Sequence, residues 1–221
     1  MEAKVPVPLP DDWNRHFCNY TRLHFIQRCV IFNKPYYWRK SMIELTCMCE
    51  NKFSADIADT YDTGKNPETV ESILSGNFLN AKCPACGKVL KPELNVLVKN
   101  VIKGTDIRLI PELERMTYLK NLKDKPDSSD RIVIGYPELI EKTRILKDGF
   151  DDQVIEYLKY LVLSKVLEKT AETDENDISI TYNDKKGDEI LFHIMGLKAD
   201  EVGIFKVPVD WYKQAQGEIK A

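Results

Sequence analysis

The chain has 221 residues, 43% of them hydrophobic and 30% charged, with a formal net charge of −3. A chain of this length buries roughly 70% of the surface that its unfolded form exposes, so it needs neither metal nor disulfides merely to fold. Six cysteines are too sparse for a disulfide scaffold, the start does not read as a signal peptide, and no run of 18 apolar residues occurs, so a reducing cytoplasmic setting without a transmembrane span is expected.

The charge is unevenly placed. Residues 1 to 41 carry seven basic and three acidic side chains, a balance of +4, whereas the remaining 180 carry 25 basic and 32 acidic, a balance of −7. Residues 1 to 12 contain three prolines and read as an irregular arm. From Trp13 to Lys40 there is no Asp or Glu, and Arg15, Arg22, Arg28, Lys34, Arg39 and Lys40 alternate with Trp13, Phe17, Tyr20, Phe25, Phe32, Tyr36, Tyr37 and Trp38. Asn14 to Ile31 has some helical spacing. Packing against the main domain or a partner, contact with nucleic acid or membrane, and a weakly ordered extension all fit this composition. Met42 directly follows and opens a plausible compact domain, so Met1 and Met42 are both candidate starts.

Ile43 to Thr46 reads as a strand and Lys52 to Asp56 as its return. A helix is expected from Pro67 to Ser75, with Asn66 as cap, Pro67 in the first turn, Gly76 at the end and Val70, Ile73 and Leu74 as its apolar side. KVLKPELNVLV gives two strands broken at Pro92. Further strands are expected at Ile107 to Ile110, Met116 to Leu119 and Arg131 to Ile134, with a polar loop in NLKDKPDSSD. A short helix follows from Pro137 to Leu146, packing through Leu139, Ile140, Thr143 and Leu146.

The strongest helix spans Asp152 to Thr170, with Val154, Ile155, Leu158, Leu161, Val162 and Val166 on one broad face. ISITYNDKKGDEILFHIM then proposes two strands joined around Asn183 to Asp188. Another strand is expected near Gly203 to Val207, and a final helix from Asp210 carrying Trp211. The expected divisions are an aromatic-basic extension at 1–41, a domain at 42–170 ending in the long helix, and a small C-terminal α/β lobe at 171–221 that completes or packs on it.

Cys47 and Cys49 sit one residue apart in TCMCENKF, and Cys83 and Cys86 have two-residue spacing in AKCPACGK. A strand precedes each pair and a helix lies between them, which is the plan of a zinc ribbon with a helical insertion. Zinc takes four tetrahedral ligands, and two short turns can supply them as thiolates. A closed set of four leaves no position for water, so it implies stability or recognition rather than hydrolysis. Gly87 supplies the left-handed residue that such a turn needs; Glu50, with Asn51 next, stands at the corresponding place after Cys49. Cysteines buried in a core, or thiol redox chemistry or iron binding, are the competing explanations.

Cys18 and Cys29 read as free thiols, and their offsets from His16 and His24 make no metal motif. His193 sits in an expected strand as a structural residue. The carboxylates of DGFDD, Asp148 to Asp152, could bind a cation, although cap and turn roles explain them more cheaply. No phosphate loop, dinucleotide fingerprint or nucleophile elbow occurs, and no catalytic residue stands out.

MIELTCMCENKF, the insert ending at ILSGNFLN, and CPACG together resemble the CpXC domain family, an uncharacterised prokaryotic family. The resemblance continues through YPELIEKTRILKDGFDDQVIEYLKYLVL and covers roughly residues 42 to 170. It implies a metal-binding domain and no particular reaction. Met48 stands where the family motif has proline, and Glu50 where glycine would make the first turn like the second.

The expected protein is therefore α+β, with zinc-ribbon-like strand pairs, a helical insertion and a mixed helix and strand region beyond. Its expected role is cytoplasmic zinc binding at Cys47, Cys49, Cys83 and Cys86 that organises a surface for a protein partner or a second copy. A nucleic-acid accessory role through residues 13 to 40, and an enzyme of unknown reaction, are the alternatives.

Overall fold

The structure is a computed structural model, and it describes residues 40–102, 104–121, 131–168, 174, 177–198 and 200–220. The aromatic-basic segment up to residue 39, with Cys18, Cys29, His16 and His24, lies outside the described residues, as does most of the expected polar loop, at 122–130.

Strand β1 (Lys40–Thr46) pairs antiparallel with β2 (Lys52–Ala58), in a register that sets Ile43 opposite Ala55 and Leu45 opposite Phe53. The alternation of side chains is the reason the hairpin has an inside. Ile43, Leu45, Phe53 and Ala55 pack against the core, while Met42, Glu44, Thr46, Ser54 and Asp56 face solvent. A second, shorter hairpin joins β4 (Ala81–Lys82) to β5 (Val89–Leu90). Between the hairpins the chain inserts β3 (Thr60–Asp62) and helix α1 (Glu68–Leu74).

Next come β6 (Val96–Lys99), β7 (Ile107–Ile110), helix α2 (Arg115–Lys120) and β8 (Arg131–Ile134). The sheet order is β3-β6-β7-β8, with the outer pairs parallel and the central pair antiparallel. Val96, Leu97 and Val98 are all buried, which explains why β6 is a continuous apolar run without alternation. Helix α3 (Gly135–Lys147) leaves the end of β8 and lays Leu139 and Leu146 on this sheet. One core thus unites the inner face of the first hairpin, α1, the four-stranded sheet and α3.

The long helix α4 (Asp152–Leu167) belongs to a second core. It packs through Val154, Ile155, Leu158, Val162 and Val166 against the antiparallel sheet β11-β10-β9, formed by β9 (Ser179–Lys186), β10 (Glu189–Met195) and β11 (Gly203–Pro208). Ile190, Phe192 and Ile194 meet the helix from alternate positions of β10, and helix α5 (Val209–Lys220) adds Tyr212 and Ala215. The partner of the broad helix face is therefore the chain's own C-terminal sheet. Tyr157 joins that face, and its hydroxyl donates to Glu218 of α5 at 2.8 Å.

Four expectations are corrected. Met116 to Leu119 is not a strand but lies in α2, after a 3-10 turn at Glu112–Glu114. Arg115 fixes that turn by donating to Glu112, Glu138 and the Ile134 carbonyl, and Leu113, Met116 and Leu119 point to solvent. Asn66 does not cap α1 with its side chain: Pro67 occupies the cap position, and the Asn66 carbonyl takes the Thr69 N–H instead. The turn expected at Asn183 to Asp188 shrinks to Gly187 and Asp188, because β9 runs on to the Lys186–Glu189 pair, past a bulge at Asn183 opposite Leu191 and Phe192. The helix expected to Thr170 ends at Leu167, with Glu168 as its cap residue; 169 and 170 lie outside the described residues.

Candidate metal centre

The two hairpins end in two turns that face each other. In the first, Thr46 and Lys52 close the ladder, leaving the five residues 47–51 outside it. The Cys47 N–H donates to the Asn51 carbonyl at 2.9 Å and the Glu50 N–H to the Cys47 carbonyl at 2.8 Å. In the second, Lys82 and Val89 close the ladder around 83–88. The Cys83 N–H donates to the Lys88 carbonyl at 2.8 Å and the Gly87 N–H to the Cys83 carbonyl at 2.9 Å. The turns are equivalent, the first being one residue shorter because one residue, not two, separates its cysteines.

The penultimate residue of each turn is left-handed, with φ of 66° at Glu50 and 74° at Gly87. The position suits glycine in both, yet Glu50 adopts the conformation despite its Cβ. Asn51 does not. Its side-chain amide instead approaches the Cys83 sulfur at 3.7 Å, a contact from one turn to the other that its place in the sequence did not disclose.

The result is a cluster in which the sulfurs of Cys47, Cys49, Cys83 and Cys86 all lie within 4.8 Å of one another. Two contacts cross between the turns, Cys47 to Cys86 at 3.5 Å and Cys49 to Cys83 at 3.8 Å. Four thiolates at about 2.3 Å from one tetrahedral ion stand about 3.8 Å apart, so the cluster has the size of a single-ion site. Cys47 and Cys83, the first of each pair, are buried at 3% and 1% exposure, and Cys49 and Cys86 are exposed. Burial pushes the Cys83 thiol up, but the N–H groups of Cys86 and Ala85 and the thiols of Cys47 and Cys86 outweigh it and bring it down to about 6. The pocket already favours a thiolate.

Among the described residues these cysteines are the one group of three or more His, Cys, Asp or Glu side chains placed to hold a metal ion. His193 is half-buried on β10, between Thr181 and Ile204 of the flanking strands. The carboxylates of DGFDD are used by the fold. Asp148 accepts from the Tyr182 hydroxyl, Asp151 caps α4 by accepting from the Gln153 N–H, and buried Asp152 pairs with Arg131 and Lys142. No helix among the described residues is long and apolar enough to cross a membrane.

Paired hairpins bringing four cysteines together within a mixed α+β chain define a zinc-ribbon-like metal-binding architecture. The family model described as CpXC protein matches residues 45–159, more than half of the sequence, and the chain belongs to the CpXC family. An uncharacterized protein of Treponema pallidum (strain Nichols) is 27% identical over 197 residues, an alignment covering 80% of this chain and 88% of that one. No solved structure matches.

Proposed function

We propose that the chain is a zinc-binding protein in which Cys47, Cys49, Cys83 and Cys86 hold one structural ion and thereby staple two hairpins into a surface for protein interaction. The observation that carries the reading is the mutual approach of four sulfurs from separate turns to within 4.8 Å. An all-sulfur tetrahedral set suits zinc or iron–sulfur centres among biological metals. The small span favours a single ion, because bridging sulfides in a polynuclear cluster hold the protein thiolates further apart. Zinc bound there supplies cross-linking and charge compensation for the thiolates, with no open position for a reacting water.

The interaction role rests on what the turns present. Met48 is 87% exposed at the tip of the first turn, and Val89 is 59% exposed at the foot of the second. A partner protein or a second copy of the chain would cover them, and a cytoplasmic location accords with reduced thiols. Two measurements on the chain purified without chelator test the reading. Elemental analysis finds near-stoichiometric zinc, and Cys47, Cys49, Cys83 and Cys86 react slowly with a thiol reagent until a chelator is added. Absence of zinc together with rapid reaction of all four would overturn the metal reading. A sedimentation profile unchanged across concentration would remove self-association and leave a separate protein as the partner.

A further inference from the structure

The geometry points to a second, covalent state of the same cluster: under hydroperoxide the thiols pair across the two turns, Cys47 with Cys86 and Cys49 with Cys83, so that disulfides hold the hairpins together. Four cysteines allow three pairings. Joining Cys47 to Cys49 and Cys83 to Cys86 closes each turn on itself and leaves the hairpins unlinked. The close contacts of 3.5 Å and 3.8 Å run the other way, between turns. Each also joins one exposed thiol to one buried thiol: Cys86 lies against Cys47, and Cys49 against Cys83. An oxidant therefore meets one member of each pair and the protein shields the other. To reach a bond of about 2.05 Å, the Cys47 and Cys86 sulfurs must close by about 1.5 Å and those of Cys49 and Cys83 by about 1.8 Å.

The chemistry balances with a hydroperoxide as the only co-reactant. The Cys86 sulfur takes oxygen from the peroxide, giving a sulfenic acid and an alcohol, or water when the peroxide is hydrogen peroxide. The Cys47 sulfur then attacks the sulfenic sulfur, the S–S bond forms, and the S–O bond breaks to release water that carries the thiol proton. Two electrons pass from two thiols to one peroxide. A second peroxide does the same at Cys49 and Cys83. Each disulfide removes two thiolates from the site, so oxidation expels a bound ion while keeping the hairpins joined. The expulsion rests on the zinc reading above, whereas the pairing does not.

Trypsin makes the pairing readable by mass. It cuts after Lys40, Lys52, Lys82 and Lys88, placing Cys47 and Cys49 together in SMIELTCMCENK and Cys83 and Cys86 together in CPACGK, with Cys18 and Cys29 in other peptides. The full chain is stripped of metal, treated with hydrogen peroxide, alkylated and digested without reduction. The expected product is the two peptides travelling as one species, lighter than their sum by four hydrogens. Two separate peptides, each lighter by two hydrogens, would overturn the inference. The register is checked in variants that keep one pair. Cys49→Ser with Cys83→Ser retains Cys47 and Cys86 and is expected to cross-link at least several-fold faster than Cys49→Ser with Cys86→Ser, which retains Cys47 and Cys83; equal or reversed rates contradict the assigned pairs. Zinc content before stripping is measured separately, so failure of the metal reading and failure of the pairing give different results.

Discussion

The two cysteine turns make the same shape from different residues. The second has a two-residue spacer, proline after its first cysteine and glycine at the left-handed position; the first has one intervening residue, Met48, and Glu50 at φ of 66°. Their hydrogen bonds correspond, with the N–H of the first cysteine reaching the last carbonyl of the turn in both. The glycine is therefore an economy rather than a requirement. A residue with a Cβ can hold the conformation, at a cost on the order of 1–2 kcal/mol, when the hairpin ladder on both sides fixes the ends of the turn.

The strongest way to break the pair is to remove one sulfur. Cys83→Ser is expected to lose zinc from near-stoichiometric to near none, with hydrogen-exchange protection reduced at the two turns, 47–51 and 83–88, while β1 and β2 stay held by their packing on the first core. Protection in α4 and β10 should persist, because their core contains no residue of either hairpin. The reciprocal control is Ile155→Ala, fully buried in that second core, which should cost about 2–5 kcal/mol in denaturant titration while zinc content stays unchanged.

Exchanging the left-handed residues has smaller effects. Gly87→Ala should destabilise by about 1–2 kcal/mol, and through the backbone alone, since a Cβ there meets Lys82 at an ordinary 3.7 Å. Glu50→Gly should move the other way by about 0.5–1 kcal/mol, part of the relieved strain being offset by the greater freedom of glycine in the unfolded chain. Both are read from denaturation midpoints of the zinc-loaded protein.

Acid should act on the second turn through Cys83. The Cys83 thiol stands at about 6 in the folded chain against 9.0 for an ordinary thiol, chiefly because N–H and S–H donors overcome the effect of burial. A lowered folded value means that this group's contribution is fully present above pH 9.0 and is lost as pH falls through about 6. Thiolate absorbance of the metal-free reduced chain should therefore show a titration near pH 6 that is absent in Cys83→Ala. The smallest expected effect is that of Asn51→Ala, which removes the amide contact to Cys83 and should cost on the order of 0.5 kcal/mol while leaving zinc bound.

Much of the architecture was legible because periodicity and burial agree in it. Ile107 to Ile110 and Arg131 to Ile134 are strands with the bounds that their apolar runs suggest, and the stripe from Val154 to Val166 is the buried face of α4. The segment from Met116 to Leu119 misled because its two large aliphatic residues, Met116 and Leu119, are exposed: they mark no core, and the helix rests on Arg115 bonding to groups distant in sequence. The approach of the cysteine pairs could be foreseen from their number and from the strand before each. The place of the left-handed residue, Glu50, could be foreseen from its correspondence with Gly87, but the Asn51 contact could not, because it depends on how closely the second turn packs against the first.

X-ray absorption at the metal edge of the chain purified without chelator shows whether all four cysteines ligate one ion. The expected spectrum is that of zinc with a single shell of four sulfurs at about 2.3 Å. A shell containing nitrogen or oxygen, an iron edge with iron–iron scattering, or no bound metal would contradict it.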